Sequence, residues 1–192
     1  LEAEGRKPFI VMQSSMRPYG AMGYALCMAE MAEQLSEQGL EPDRLVVCSS
    51  SATQPGLVFG NKVLGTGLHI TGISPMRWSY DITDAFLAVM RRMAELLDLD
   101  VEFGREDIEN LDAYIGENGY GYTSEAGNAA LHLLAETEGI FVDPIYSATS
   151  LAALIDMTRQ KQIGKDESVV FLHTGGTPAI FAYGDELRTP LP

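Results

Sequence analysis

The stretch LVVCSSSATQPGLVFGNKVL, residues 45–64, decides the fold. Its first four residues are apolar, which is typical of a strand that is buried on both faces. Residues 49–53 are small, and four of these five carry a hydroxyl group. Residues 54–64 are predicted to form a helix. A buried strand that leads through a short turn into a helix is the unit from which parallel α/β sheets are built.

Strand and helix patterns alternate along the rest of the chain. Further short apolar runs predict strands at residues 8–12, 69–73 and 169–172. Apolar residues at helical spacing predict helices at residues 21–38, 82–97, 124–138 and 148–160. Residues 98–112 form an acidic, irregular segment. The sequence therefore predicts an α/β fold, doubly wound, with a mainly parallel sheet and helices on both faces.

Length, hydropathy and charge narrow the class of protein. With 192 residues, 46% of them hydrophobic, the chain is predicted to be a single domain, 1–192. Its apolar stretches are shorter than the roughly 20 residues of a membrane-spanning helix, and residues 1–7 lack a signal peptide's apolar segment. Both observations argue against a membrane protein. A formal net charge of −14 argues against nucleic acid as a partner, because phosphate-backbone binding requires a clustered basic surface.

The two cysteines indicate the redox environment. Cys27 and Cys48 lie within apolar runs and lack the spacing of a metal site. We interpret them as small core residues in a reducing compartment. This interpretation predicts a cytoplasmic protein without a bound metal.

Two strand ends carry candidate ligand-binding residues. In doubly wound sheets, ligands bind beyond the carboxyl ends of the strands. The hydroxyl-rich residues 49–53 follow one predicted strand, and Thr174, Gly175 and Gly176 follow the last one. Hydroxyl and backbone N–H groups at the start of a helix stabilise an anion, so residues 49–53 favour a phosphate. The alternative is simple capping of the helix, for which one hydroxyl is enough. Neither GxxxxGK[ST] nor GxGxxG is present, which argues against nucleoside triphosphates and dinucleotides.

Four motifs in order resemble one enzyme family. They are SSATQPGLV at residues 50–58, GYGYTSEAG at residues 119–127, DPIY at residues 143–146 and HTGGTP at residues 173–178. Together they resemble the C-terminal part of the 1-aminocyclopropane-1-carboxylate deaminase/D-cysteine desulfhydrase family. Members of this family are pyridoxal-phosphate-dependent enzymes of fold type II. The resemblance extends from about residue 9 to residue 183, and it implies pyridoxal 5′-phosphate as the cofactor.

The resemblance also implies roles for particular residues. It assigns the cofactor phosphate to a loop formed by Ser50, Ser51, Ala52 and Thr53. It makes Tyr146 and Tyr120 active-site tyrosines that shape the substrate pocket and act as acid or base.

The ring of the cofactor would lie near the last strand. The resemblance places Thr174 beside the pyridine nitrogen, and Gly175 and Gly176 where the backbone passes close to the ring. Some family members have a glutamate for this nitrogen directly after the tyrosine of the DPxY motif, where this chain has Ser147. A hydroxyl partner leaves the ring a weaker electron sink than a carboxylate does, so β-elimination is favoured over ring-opening deamination. Taken alone, His173 is interpreted as a packed histidine without a chemical role.

The family's Schiff-base lysine has no counterpart in this chain. The four lysines, Lys7, Lys62, Lys161 and Lys165, do not match its sequence context. We expect the lysine-bearing N-terminal portion to be a separate polypeptide or a removed upstream segment, because an uncovered sheet edge and pocket wall would be an apolar liability. Loss of catalysis is the third alternative. A homo- or hetero-oligomer is therefore predicted.

The expected function is that of a pyridoxal-phosphate-dependent lyase that is active only with the missing portion. Its substrate would be a small amino acid with a β-leaving group, such as D-cysteine or cysteate, and its products pyruvate and ammonia. The alternatives are a 1-aminocyclopropane-1-carboxylate deaminase, a catalytically inactive cofactor-binding or regulatory subunit, and an α/β domain that binds another phosphorylated ligand.

Overall fold

The computed structural model describes residues 2–8, 14–49 and 51–188. Apart from Pro8, the strand predicted at residues 8–12 lies outside the described residues, and so does Ser50 of the predicted phosphate loop.

The described strands form one parallel sheet. They are β1 (Arg44–Cys48), β2 (His69–Ile73), β3 (Glu109–Leu111) and β4 (Val169–Leu172), in the spatial order β3-β2-β1-β4. The register pairs Val46 of β1 with Thr71 of β2 and with Phe171 of β4. The chain proceeds from β1 to one side of the sheet and returns with β4 on the other side of β1. The order therefore reverses between β1 and β4, and such a switch point is where a doubly wound sheet leaves a crevice for a ligand.

Helices alternate with these strands as the sequence predicts. Within the described residues the longest are α1 (Arg17–Gln38), α2 (Thr53–Leu64), α3 (Ile82–Leu97), α4 (Glu125–Glu138) and α5 (Ser147–Arg159). Each helix begins and ends within a few residues of its predicted bounds, because residues that cap helices can be recognised in the sequence. Gly39 ends α1 with a left-handed φ of 66°, and the Ser124 side chain accepts the N–H of Gly127 at the start of α4. In the part of the chain that is described, no helix has both the length and the apolar character needed to cross a membrane.

The helices cover both faces of the sheet, so the predicted doubly wound class is confirmed. Leu45 and Val47 pack with residues of α1, α2 and α3 on one face. Val46, whose side chain points the other way, packs with Ala153 of α5 on the opposite face, where α4 lies against α5. Strand β1 is buried along its whole length, which explains why the four residues after Arg44 form an uninterrupted apolar run.

The sequence pattern missed strand β3. It lies within residues 98–112, which were predicted to be irregular. Its residues Glu109, Asn110 and Leu111 are half-buried and mostly polar, so they lack an apolar run. Pairing with β2 and the hydrogen bonds of the Asn110 side chain to Ser49 and Gln54 hold this segment in the sheet. These long-range partners cannot be read from the local sequence.

Two glycines allow α1 and α2 to pack closely, which fixes the position of the α2 N-terminus. A β-carbon at Gly56 would lie 2.2 Å from the carbonyl oxygen of Ala21, and one at Gly60 would lie 2.8 Å from the β-carbon of Met28. Both positions are therefore occupied by the residue that has no side chain.

Candidate functional site

The predicted site residues gather at the carboxyl ends of β1 and β4, on the two sides of the switch point. Strand β1 ends at Cys48, and the hydroxyl-rich loop follows it. Burial raises the pKa of the Cys48 thiol to about 12, and the neighbouring carboxylate of Asp143 adds to this shift. Cys48 is therefore a protonated thiol at neutral pH, and Asp143 lies close to the end of β1.

Asp143 organises the start of α5. Its buried carboxylate accepts the backbone N–H groups of Ile145 at 3.0 Å, Tyr146 at 2.6 Å and Ser147 at 2.8 Å. These donors have no partner within the helix, and a carboxylate at a helix N-terminus also complements the helix dipole. Asp143 thereby fixes the direction in which the Tyr146 side chain leaves the helix.

The turn that follows β4 packs against the same residues. Ser147 Oγ lies 3.2 Å from His173 Nδ1, which joins the start of α5 to the end of β4. Gly176 has a φ of 89°, and a β-carbon there would lie 3.0 Å from the side chain of Asp143. Gly175 has a φ of 110°, with open space around the position of its missing β-carbon. The double glycine is thus required for a left-handed turn and for its close approach to Asp143.

Tyr146 and Tyr120 form a pair at the mouth of this region. Their hydroxyl groups are hydrogen-bonded to each other and their ring centroids are 6.0 Å apart. Both side chains remain accessible, with 37% of Tyr146 and 51% of Tyr120 exposed. The hydrogen bond to Tyr120 is the main cause that raises the pKa of Tyr146 above its ordinary value, followed by partial burial. Tyr146 is therefore a protonated phenol at neutral pH, able to donate a hydrogen bond.

The described part of the predicted phosphate loop leads directly into α2. Ser51 and Ala52 precede the helix, which begins at Thr53. Ala52 has a φ of −126°, so its β-carbon causes no strain. Pro55, the third residue of the helix, occupies a position whose N–H would have no partner within the helix. The loop therefore presents the half-buried residue Ser51 at the positive end of a helix of twelve residues, whereas the side chain of Thr53 is buried.

The buried side chain of Gln54 holds this loop in place, although no role was predicted for it from the sequence. Gln54 is fully buried, and its Oε1 accepts hydrogen bonds from Ser49 Oγ and from Asn110 Nδ2, both at 2.8 Å. Its Nε2 donates to the carbonyl oxygen of Glu109 at 2.5 Å. A β-carbon at Gly72 would overlap with the Gln54 side chain, so this strand position is a glycine. In the sequence Gln54 is one more polar residue after the hydroxyl-rich residues 49–53, and its partners Glu109 and Asn110 are distant along the chain.

Three of the lysines lie away from this edge. Lys62 is in the last turn of α2, on the order of 14 Å along the helix from Thr53, and its Nζ is 2.7 Å from the carboxylate of Asp107. Lys161 and Lys165 lie between the end of α5 and the start of β4, at the amino-terminal edge of the sheet. The structure thus brings none of these three to the predicted site.

The donor set at the switch point fits the cofactor that the resemblance implies. Hydroxyl groups at the N-terminus of α2 suit a phosphate, and the exposed hydroxyl of Thr174 suits a ring nitrogen. The space at Gly175 leaves room for a flat ring beside the backbone. The roles of the residues named above remain predictions. Among the described residues, histidines, cysteines and carboxylates form no group of three that could bind a metal ion.

Comparisons with known proteins give consistent results. A family model described as pyridoxal-phosphate dependent enzyme matches residues 1–175. The chain is 36% identical over 188 residues to a D-cysteine desulfhydrase of Klebsiella pneumoniae (strain 342), covering 97% of this chain and 56% of the relative. It is 31% identical over 185 residues to a "Probable 1-aminocyclopropane-1-carboxylate deaminase" of Schizosaccharomyces pombe, covering 95% of this chain and 54% of the relative.

A solved structure shares the fold. A crystal structure described as an ACC deaminase homologue superimposes with a TM-score of 0.81 at 30% identity, covering 97% of this chain and 55% of that one. These matches confirm the resemblance seen in the four motifs. The chain spans slightly more than half the length of the relatives it matches.

Proposed function

The chain belongs to the family of pyridoxal-phosphate-dependent enzymes, and from this we propose that it forms the cofactor-binding portion of a lyase that acts on a small amino acid. The observation that carries the proposal is the grouping at the switch point, where the hydroxyl loop, the tyrosine pair and the double-glycine turn occupy one edge of the sheet. The cofactor, when bound, supplies the electron sink for breaking a bond at the substrate's α-carbon.

The residues of this chain would then bind the cofactor and orient its ring. Ser51, Thr53 and the start of α2 would hold the phosphate. Thr174 would donate its hydroxyl hydrogen to the pyridine nitrogen, and the Gly175–Gly176 turn would let the backbone lie close to the ring. The open space at Gly175 supports this arrangement.

Tyr146 would act as a hydrogen-bond donor to the leaving group. Its raised pKa keeps the phenol protonated at neutral pH, and the residue is accessible from solvent beside Tyr120. A phenol in this state can donate a hydrogen bond to a leaving thiolate, which is the group that departs in β-elimination from cysteine. The substrate class proposed is therefore a small amino acid with a thiol or similar β-substituent. The relative named D-cysteine desulfhydrase supports this choice.

The covalent lysine is proposed to come from polypeptide outside these 192 residues, either an upstream segment or a partner chain. The distant positions of Lys62, Lys161 and Lys165 support this, as does the greater length of the relatives. An oligomer that contains both portions is proposed to be the active form, and the cytoplasm its location.

Two alternatives remain proposals with less support. Deamination of 1-aminocyclopropane-1-carboxylate is suggested by the name of the Schizosaccharomyces pombe relative. Ser147 favours β-elimination, because some members with the resembled motif have a carboxylate at that position. A cofactor-binding subunit without catalysis would bind pyridoxal phosphate but would show no turnover with any lysine-bearing partner.

A binding experiment separates these candidates. The purified chain is titrated with pyridoxal 5′-phosphate and with pyridoxal, which lacks only the phosphate, and is then treated with borohydride before intact-mass measurement. We expect reversible binding of the phosphorylated compound with no label on Lys62, Lys161 or Lys165. Replacing both Ser51 with Ala and Thr53 with Val should weaken binding on the order of 10-fold or more, because hydrogen bonds to a charged group are lost.

The controls address specificity and turnover. Ser36→Ala, near the end of α1 and away from the switch point, should leave the affinity unchanged. Pyruvate release from D-cysteine is expected with the enzyme purified from its source, because that preparation would include the proposed lysine-bearing portion. Equal affinity for the phosphorylated and unphosphorylated compounds, or no binding of either, would contradict the proposal.

A further inference from the structure

Three side chains, those of Ser147, His173 and Thr177, form a continuous hydrogen-bonded chain next to the double-glycine turn. Ser147 Oγ at the start of α5 lies 3.2 Å from His173 Nδ1. The other ring nitrogen, His173 Nε2, lies 3.3 Å from Thr177 Oγ1 in the turn after β4. Thr177 Oγ1 donates in turn to the carbonyl oxygen of Phe141 at 3.2 Å. The chain therefore ties α5, the end of β4 and the segment before α5 to one another.

The donors and acceptors determine the direction of this chain. A carbonyl oxygen can only accept, so the single hydroxyl hydrogen of Thr177 is directed to Phe141. Thr177 Oγ1 must then accept from His173, which requires a hydrogen on Nε2. A neutral imidazole carries only one such hydrogen, so Nδ1 has a free lone pair and accepts the hydroxyl hydrogen of Ser147.

We propose that His173 is a positioning residue that, as a neutral imidazole, carries its hydrogen on Nε2 and fixes the Ser147 hydroxyl as a donor toward β4. This inference rests on the proposed function for its consequence but not for its geometry. Ser147 is buried, with 1% exposed, so its hydroxyl has little freedom to choose another partner. Thr177 determines which ring nitrogen of His173 carries the hydrogen, and His173 in turn determines the direction in which the hydroxyl hydrogen of Ser147 points.

The consequence is a division of roles between the hydroxyl groups of Ser147 and Thr174, the two residues that the resemblance associates with the ring nitrogen. The Ser147 hydroxyl donates its hydrogen to His173, so toward any other group it can act only as an acceptor. An unprotonated pyridine nitrogen needs a donor, and the exposed hydroxyl of Thr174 can supply one. Thr174 rather than Ser147 is therefore the donor to a bound ring.

The tautomer can be measured without cofactor. The chain contains three histidines, so ¹⁵N-labelled histidine gives a spectrum in which each ring can be assigned with one substitution variant. Long-range ¹H–¹⁵N correlations distinguish a hydrogen on Nε2 from one on Nδ1. His132 serves as internal reference, because its Nε2 lies 2.9 Å from the carbonyl oxygen of Leu187, which can only accept.

The expected result is a predominant Nε2–H form for His173 in the unchanged chain at a pH where the ring is neutral. Thr177→Val should convert it to a mixture of tautomers, and Ser147→Ala should shift the Nδ1 resonance. Ser150→Ala is the matched control: this hydroxyl donates to the carbonyl oxygens of Tyr146 and Ser147 in the preceding turn of α5 and not to His173, so its loss should leave the His173 tautomer unchanged. A predominant Nδ1–H form in the unchanged chain, or no response to Thr177→Val, would overturn the proposal.

A second measurement tests the division of roles. The probe is pyridoxine 5′-phosphate, which keeps the ring and the phosphate but has no aldehyde. Thr174→Val should weaken its binding by roughly 2- to 10-fold, whereas Ser147→Ala should change it by less than about 2-fold. Equal losses in the two variants would overturn the proposal. If the unchanged chain binds no probe, the proposed function fails, and the tautomer measurement alone then decides the role of His173.

Discussion

At the scale of single residues, the phenol of Tyr146 shows how a contact sets a chemical property. Its partner Tyr120 is 26 positions away, and the hydrogen bond between the two hydroxyls is the main cause of the raised pKa of Tyr146. The sequence identified both tyrosines through the motifs they belong to. Their direct pairing, and with it the protonation state of Tyr146, required the tertiary structure.

We predict that Tyr120→Phe lowers the pKa of Tyr146 toward its ordinary value of about 10, because the main cause of the shift is removed. The measurement is a spectrophotometric titration of tyrosinate. In the unchanged chain the raised pKa favours the folded state below pH of about 10, and this contribution is lost as the pH rises through the folded-state pKa. Tyr122→Phe, an exposed neighbour, is the control and should leave the Tyr146 step in place. An unaltered Tyr146 step in Tyr120→Phe would contradict this assignment.

At the scale of elements, short polar interactions decide where helices begin. Asp143 accepts three backbone N–H groups at the start of α5, and Asp81 accepts two at the start of α3. The first aspartate is buried at the centre of the site and the second is exposed. The same residue type is therefore expected to contribute very differently to the free energy of unfolding at the two positions.

Asp143→Ala is expected to destabilise the fold by about 1–3 kcal/mol, because buried N–H groups lose their acceptor. Asp143→Asn keeps one acceptor oxygen and should have a smaller effect. Urea unfolding followed by circular dichroism measures the change. Asp81→Ala is the matched control, and its exposed N–H groups can turn to water. A loss in Asp81→Ala as large as that in Asp143→Ala would count against a special role for Asp143.

The crossing of α1 and α2 gives a second prediction at this scale. Gly56→Ala should destabilise the chain by roughly 1–3 kcal/mol, because the added carbon overlaps with the backbone of Ala21. Gly23→Ala is the matched control within α1. A β-carbon there meets nothing within 4 Å, so the substitution should stabilise the helix by roughly 0.5–1 kcal/mol. Denaturant midpoints of the two variants should therefore move in opposite directions, and parallel shifts would contradict the close packing.

At the scale of the whole molecule, the strand order and the net charge act on the same site. The reversal between β1 and β4 opens a crevice at the carboxyl edge of the sheet. The formal charge of −14 surrounds that crevice with a field that repels anions. Attraction for a phosphate must then be local, from the start of α2 and its hydroxyls.

This contrast predicts that salt accelerates the binding of a phosphorylated ligand. Raising the ionic strength from about 0.01 M to about 0.15 M shortens the screening length from about 30 Å to about 8 Å, which removes most of the long-range repulsion. Stopped-flow mixing with pyridoxine 5′-phosphate should show a higher association rate at the higher salt concentration. Pyridoxine, without the phosphate, is the control and should show little change. A rate that falls with salt would mean that local positive groups dominate the approach.

Much of the fold could be predicted from local patterns. Strand β2 and helix α3 occupy their predicted positions, because apolar runs and helical spacing are signals within a few adjacent residues. The site was predicted only as a set of separate motifs. Asp143, Gln54 and His173 had no assigned role, since a buried polar residue is defined by partners that are far away in sequence.

The sequence by itself determined the class of fold, the family resemblance and the types of residue at the strand ends. The tertiary structure decided the strand order, the inclusion of β3, the pairing of Tyr146 with Tyr120 and the placement of three lysines away from the site. The physical reason is the separation along the chain over which each kind of interaction acts. Periodicity and capping act between neighbours along the chain, whereas the direction of a hydroxyl hydrogen or the pKa of a phenol depends on groups that only folding brings within a few ångströms.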